Sequence, residues 1–102
     1  MIVFNTTYHV DDRIHDEVIE YFKKEFIPQA IETGLLREPR LFLIHAQYEE
    51  NGKSYSLQFR AKDLETLEQW MEEESPILQA DLFKRFGEKA CGFMTLLEEI
   101  SL

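Results

Sequence analysis

The chain has 102 residues, of which 44% are hydrophobic, and a formal net charge of −9 at pH 7. This length predicts a single domain spanning residues 1–102, and the acidic balance argues against nucleic acid and anionic membrane surfaces, which bind clustered lysine and arginine. Cys91 is the only cysteine, so no intrachain disulfide can form, and the start lacks the basic and apolar regions of a signal peptide. A cytoplasmic protein without a membrane span is therefore expected.

The stretch "IVFNTTYHV" near the start alternates in polarity, which predicts a strand with two different faces. One face carries Ile2, Phe4, Thr6, Tyr8 and Val10, and is mostly apolar. The other face is mostly polar and carries Val3, Asn5, Thr7 and His9. The polar face could meet water, a ligand cavity or another subunit.

A helix is predicted next, because apolar residues recur at helical spacing from Ile14 to Ile31. Asp11 or Asp12 can cap its start, since a short carboxylate accepts a hydrogen bond from a free backbone N–H. Pro28 removes one backbone donor and should kink the helix or separate its last turns. Gly34 suits the left-handed conformation that ends a helix.

The following segment predicts a β-hairpin, since Asn51-Gly52 favours a type I′ turn. A two-residue turn would pair Ile44 with Phe59 and Ala46 with Leu57 on the face that the helices cover. On the opposite face, the same turn would pair Leu43 with Arg60, His45 with Gln58, and Gln47 with Ser56.

The last third of the chain predicts a broken helix and a final strand. Asp63 caps "LETLEQWMEEE", and Ser75-Pro76 restarts a helix that ends at Gly87. The final strand is "ACGFMTLLEEI", with Gly92 at a possible bulge.

The element order β-α-β-β-α-β predicts an α+β, ferredoxin-like domain. Right-handed crossovers place both helices on one face of a four-stranded antiparallel sheet, with the first and third strands central. The open face is then expected to carry Asn5, Thr7, His9, His45, Gln47, Ser56, Gln58 and Arg60, with Val3, Leu41 and Leu43 among them. An antiparallel sheet can leave such a face in water, but apolar residues among the polar ones favour a second sheet packed on it.

The layout resembles the dimeric α+β barrel superfamily, and several segments resemble a family of short bacterial proteins without assigned function. The segments are "NTTYHV", "FIPQAIETGLLREPRLFLI", "YSLQFRAKDLETLEQW" and "LFKRFGEKACGFMTLLEEI". The resemblance implies a homodimer whose two sheets form a barrel.

More distant similarity to haem-degrading and antibiotic-biosynthesis monooxygenases suggests specific residues. Asn5 and Trp70 occupy places comparable to functional residues of the haem-degrading members, but Ala80 stands where a haem-ligating histidine would be. No haem or other cofactor is therefore expected. In the cofactor-free oxygenases of the antibiotic group, an asparagine, a tryptophan and an arginine can assist catalysis, and the resemblance implies Asn5, Trp70 and Arg60 for these roles. Trp70 also lies on the apolar stripe of its predicted helix, with Leu67 and Met71, which favours a place in the core.

Two histidines raise the question of a metal site. His9 and His45 are expected on the same face but two strands apart, about 10 Å at the backbone, so no metal is predicted. His15 is expected to be exposed and Cys91 to be a small buried residue.

The sequence favours a homodimer that binds a small hydrophobic or aromatic molecule, either between sheet and helices or inside the barrel. A cofactor-independent monooxygenase or isomerase and a purely structural dimeric module remain as alternatives. The candidate ligand-binding residues are Asn5, Thr7, His9, His45, Gln58, Arg60 and Trp70.

Overall fold

The computed structural model describes residues 1–46 and 51–102. Two helical regions and four strands make up the fold. In chain order the elements are β1 (Ile2–Asp11), a 3₁₀ turn (Asp12–Ile14), α1 (His15–Tyr21), a π-helical segment (Phe22–Phe26), α2 (Ile27–Ala30), β2 (Arg37–Ile44), β3 (Gly52–Ala61), α3 (Leu64–Glu73), α4 (Ser75–Phe86), a second 3₁₀ turn (Gly87–Lys89) and β4 (Ala90–Glu98).

The four strands form one antiparallel sheet in the order β2-β3-β1-β4. The two central strands are β1 and β3, as the ferredoxin-like prediction requires, so the predicted fold class is confirmed. The core lies between the helices and one face of the sheet, where Phe4 and Phe59 meet Phe22, Leu67 and Trp70. We call the opposite face of the sheet the open face.

The helix boundaries follow from capping and from the proline. The carboxylate of Asp11 accepts a hydrogen bond of 2.8 Å from the backbone N–H of Arg13, and that of Asp63 accepts one of 2.8 Å from Thr66. The first helical region widens into its π-helical turn just before Pro28, which cannot donate to the preceding turn. The second region is interrupted at Glu74, between α3 and α4, next to Pro76.

The predicted hairpin register is wrong. Ile44 lies opposite Ser54, five positions before the expected partner Phe59, and Leu41 lies opposite Leu57. This register is incompatible with the predicted two-residue turn at Asn51-Gly52, which would place Ile44 opposite Phe59. The predicted pair of Gln47 with Ser56 cannot be compared, because residues 47–50 lie outside the described residues.

The odd shift exchanges the two faces of β2, because successive strand side chains point to opposite sides. Leu41 and Leu43 face the helices rather than the open face, and Leu41 packs against the core. Phe42 and Ile44 face the open side instead. His45 follows the last residue of β2, so its predicted pairing with Gln58 is also wrong.

Gly92 does not mark a bulge, since the pairing of β1 with β4 continues without a shift. The residue lies opposite Tyr8, and a Cβ atom there would be 2.7 Å from Cδ1 of the tyrosine ring. Close approach of the ring therefore explains the glycine. In the described part of the chain, no helix is both long and apolar enough to cross a membrane.

Candidate functional site

A cavity of about 420 Å³ lies between α4 and the β1–β4 half of the sheet. Ala90 and Gly92 are small residues on the side of β4 that faces the helices, so they leave space beneath α4. The volume falls in the range typical of small-molecule sites. Its wall consists of Thr6 and Tyr8 from β1, Ser75, Gln79, Leu82 and Phe83 from α4, Gly87 and Glu88 from the turn, and residues 90–94.

Tyr8 is the most deeply buried polar side chain of this wall, with only 2% of its surface exposed. Burial raises the pKa of its phenol, and the side chains of Gln79 and Thr6 oppose the increase by hydrogen bonding. The phenol therefore stays protonated near neutral pH and can act as a hydrogen-bond donor. The alternation of β1 correctly predicted that Tyr8 lies on the apolar face, but it did not indicate a polar role for the phenol.

The mouth of the cavity is apolar. Phe83 is 65% exposed and Met94 is 53% exposed, although both are large hydrophobic residues. These side chains give the cavity an apolar rim on one side of α4.

A hydrogen-bond network occupies the middle of the open face. Ser56 donates to the side-chain oxygen of Asn5, whose amide nitrogen lies 3.3 Å from the hydroxyl of Thr7. The amide of Gln58 lies 3.4 Å from the hydroxyl of Ser56. Asn5 is buried even in the single chain because these neighbours surround it. The structure thus brings together three predicted candidates, Asn5, Thr7 and Gln58.

His9 lies at one end of this face, directly opposite Cys91 in β4. Its Nδ1 atom is 3.5 Å from the hydroxyl of Ser54 in β3. Cys91 is exposed, so the prediction of a small buried residue is wrong. His9 and Cys91 are far apart in the sequence, and only the register of β1 with β4 brings them together.

Arg60 lies at the other end of the open face. Its guanidinium pairs with Glu38, whose carboxylate oxygen is 3.1 Å from Nε, and with Glu99, which follows β4. It therefore joins both edges of the sheet to the central strand β3.

Two other predicted candidates do not join the open face. His45 is exposed beyond the end of β2. Trp70 is 1% exposed in the core, where its indole N–H donates a hydrogen bond of 2.9 Å to the carbonyl of Ala30. Its ring meets that of Phe4 edge-on, with centroids 5.5 Å apart. The trio Asn5, Trp70 and Arg60 is thus divided between two faces of the sheet.

His15 is not simply exposed, contrary to expectation. One ring nitrogen hydrogen-bonds the hydroxyl of Tyr55, and the other lies 3.0 Å from the carboxylate of Asp16. Burial raises the pKa of Tyr55, and the charge of Asp16 raises it further. The hydrogen bond between His15 and Tyr55 therefore links the start of α1 to β3. Among residues 1–46 and 51–102, no group of three or more histidine, cysteine or carboxylate side chains could hold a metal ion.

Comparisons with known proteins identify a family and a fold. Residues 1–100 match the family described as a domain of unknown function (DUF4286). The search of curated proteins found no match for the chain. A crystal structure of an ethyl tert-butyl ether D (EthD) family protein from Bacillus halodurans is similar, with a TM-score of 0.71 and 18% identity. The similarity covers 98% of this chain and 100% of the other, so it supports the predicted fold and not an activity.

Proposed function

The chain belongs to the DUF4286 family, and we propose that it is a homodimer that binds a small, largely apolar molecule. The observation that carries the ligand proposal is the cavity of about 420 Å³ between α4 and the β1–β4 half of the sheet. An apolar cavity with a few convergent polar groups is the usual form of a small-molecule site.

The side chains in the wall favour a ligand without net negative charge. Glu88 is a carboxylate at the cavity, and no lysine or arginine lines it among the described residues. An anion would therefore meet repulsion without a compensating cation. A neutral molecule with one hydrogen-bond acceptor would match the phenol of Tyr8, while the apolar rim would contact its hydrocarbon or aromatic part.

The dimer proposal rests on the open face, on the other side of the sheet. Its polar centre is flanked by exposed apolar residues on both edge strands, Phe42 and Ile44 on β2 and Phe93 and Leu97 on β4. Several large apolar residues exposed on one face indicate a surface that packs against a partner. A second copy would cover these residues and enclose the candidates Asn5, Thr7, His9, Gln58 and Arg60 as the inner wall of a barrel.

Binding of Nile red, a neutral dye that fluoresces in apolar sites, tests the ligand proposal. We expect saturable binding by the full chain, weakened about fivefold by Phe83→Ala, because removing an aromatic contact costs roughly 1 kcal/mol. Ile77→Ala is the matched control, since Ile77 is an exposed apolar residue of the same helix that does not line the cavity. We expect this control to bind the dye as the unmodified protein does.

The outcome separates a ligand-binding protein from a purely structural module. Equal weakening by Phe83→Ala and Ile77→Ala would show that the dye only coats exposed apolar surface, and would contradict a site in the cavity. Absence of saturable binding in the unmodified protein would favour the structural module.

A further inference from the structure

Three of the five arginines of this acidic protein lie close together at one end of the open face. Arg37 of β2 is directly opposite Arg60 of β3, and Arg40 is opposite Gln58. Like charges at directly opposite positions of two strands repel each other and destabilise the pair. Two carboxylates, Glu38 and Glu99, pair with Arg60 here, so three arginines face two carboxylates in a chain whose net charge is −9.

The backbone of β2 is also unfavourable at the same place. Glu38 has a φ of 53°, a left-handed conformation that a residue with a side chain rarely adopts, and Pro39 follows it. The pairing of β2 with β3 shifts between Arg37 and Arg40. Observed strain of this kind tends to occur at functional sites, where it positions particular side chains.

The guanidinium of Arg60 is incompletely satisfied. Its Nε atom is buried and makes no hydrogen bond of good geometry, although a carboxylate oxygen of Glu38 lies 3.1 Å away. Arg40, by contrast, is exposed, and no ion pair of its guanidinium is found among the described residues. The exposed guanidinium of Arg40, next to the incompletely hydrogen-bonded guanidinium of Arg60, favours the binding of an anion.

From these observations we propose that the open face binds the carboxylate of a small aromatic acid between Arg40 and Arg60. A depression of about 140 Å³ lies there, lined by Val3, Glu38, Arg40, Phe42, Gln58 and Arg60. The two guanidinium groups and the amide of Gln58 supply donors for the carboxylate. Phe42 and Val3 supply apolar contact for the ring.

Glu38 has a second role in this proposal, because its carboxylate competes with the ligand for Arg60. Removing its charge should strengthen binding of the acid, whereas removing either arginine should weaken it. The site lies on the opposite face of the sheet from the α4 cavity, so it stands independently of the ligand proposed above. In the proposed dimer it would lie at the enclosed space between the two sheets.

Isothermal titration calorimetry of the full chain with benzoate tests the proposal. Benzamide serves as the neutral probe of similar shape, and inorganic phosphate at matched ionic strength serves as the anion without a ring. We expect benzoate to bind and benzamide not to bind measurably. Arg40→Gln and Arg60→Gln should each raise the Kd for benzoate at least about tenfold, through loss of a charge-assisted contact, and Glu38→Gln should lower it.

Arg13→Gln is the matched control, because Arg13 is also in an ion pair, with Asp11, but lies outside the depression. It should leave the Kd unchanged, and circular dichroism should show that each variant remains folded. A Kd equally affected by Arg13→Gln and Arg40→Gln would overturn the site. Phosphate binding as tightly as benzoate would overturn the preference for an aromatic acid.

Discussion

Asn5 and Thr6 are adjacent in the sequence and lie on opposite faces of the sheet, yet both are buried. Thr6 is covered by the helices, whereas Asn5 is covered by its own hydrogen-bonding neighbours on the open face. The alternation of β1 predicted which way each side chain points. The burial of Asn5 was not predicted, because it depends on Ser56, a residue of another strand.

Trp70 is the clearest case in which a candidate site residue belongs to the core. We expect Trp70→Phe to lower the free energy of unfolding by about 1–3 kcal/mol, because the carbonyl of Ala30 loses its buried donor. Urea unfolding followed by circular dichroism measures this loss without relying on the fluorescence of the indole.

Dye binding by the same variant distinguishes a core role from a ligand contact. Trp70→Phe should bind Nile red with unchanged affinity under native conditions. A selective loss of dye binding with unchanged stability would contradict the core assignment and restore Trp70 as a ligand-binding residue.

The β2–β3 hairpin is the element whose register and turn the sequence predicted least well. Asn51 does adopt a left-handed φ of 62°, as its turn propensity indicates. Gly52, however, belongs to β3 and approaches β1 closely: a Cβ atom there would be 2.5 Å from the carbonyl oxygen of Val10. The glycine is needed for strand packing rather than for a two-residue turn.

Substitutions at two glycines compare the stability cost of a steric clash, at Gly52, with that of backbone strain, at Gly34. Gly52→Ala should destabilise the protein by about 2–3 kcal/mol, because backbone atoms must move to relieve the clash. Gly34→Ala should cost only about 1 kcal/mol, since Gly34 has a φ of 80° but open space around its Cα. Urea unfolding of the two variants gives the comparison.

Gly34→Asn is the control for the strain argument, because asparagine tolerates the left-handed conformation better than alanine does. It should lose less stability than Gly34→Ala. The explanation of Gly52 would have to be abandoned if Gly34→Ala proved the more damaging of the two alanine substitutions.

At the scale of the whole molecule, the sheet has one face covered by helices and one face free to meet a partner. We expect the protein to have twice the mass of its 12.2 kDa chain in light scattering across a dilution series. Phe93→Glu should weaken the dimer on the order of a hundredfold, because Phe93 lies on the open face opposite Thr7 and the substitution would bury an unpaired carboxylate in the interface.

Phe83→Glu is the matched control for dimerisation, since Phe83 is equally an exposed phenylalanine but lies on the helix side. It should remain dimeric. Added salt should strengthen the dimer of the unmodified protein, because screening reduces repulsion between two copies that each carry a charge of −9. A monomeric mass at every concentration would refute the dimer.

The sequence by itself determined the element order, the caps at Asp11 and Asp63 and the two faces of β1, because these depend on local periodicity and on contacts within a few residues. The predicted cap Ser75 is wrong, since it is the first residue of α4 and makes no capping hydrogen bond. Only the tertiary structure decided the register of β2 and the pairing of His9 with Cys91. The cavity behind Gly92 and the arginine cluster around Glu38 also depend on it. Each of these features joins residues from different strands or helices, and their relative positions are set by packing of the whole domain rather than by local propensity.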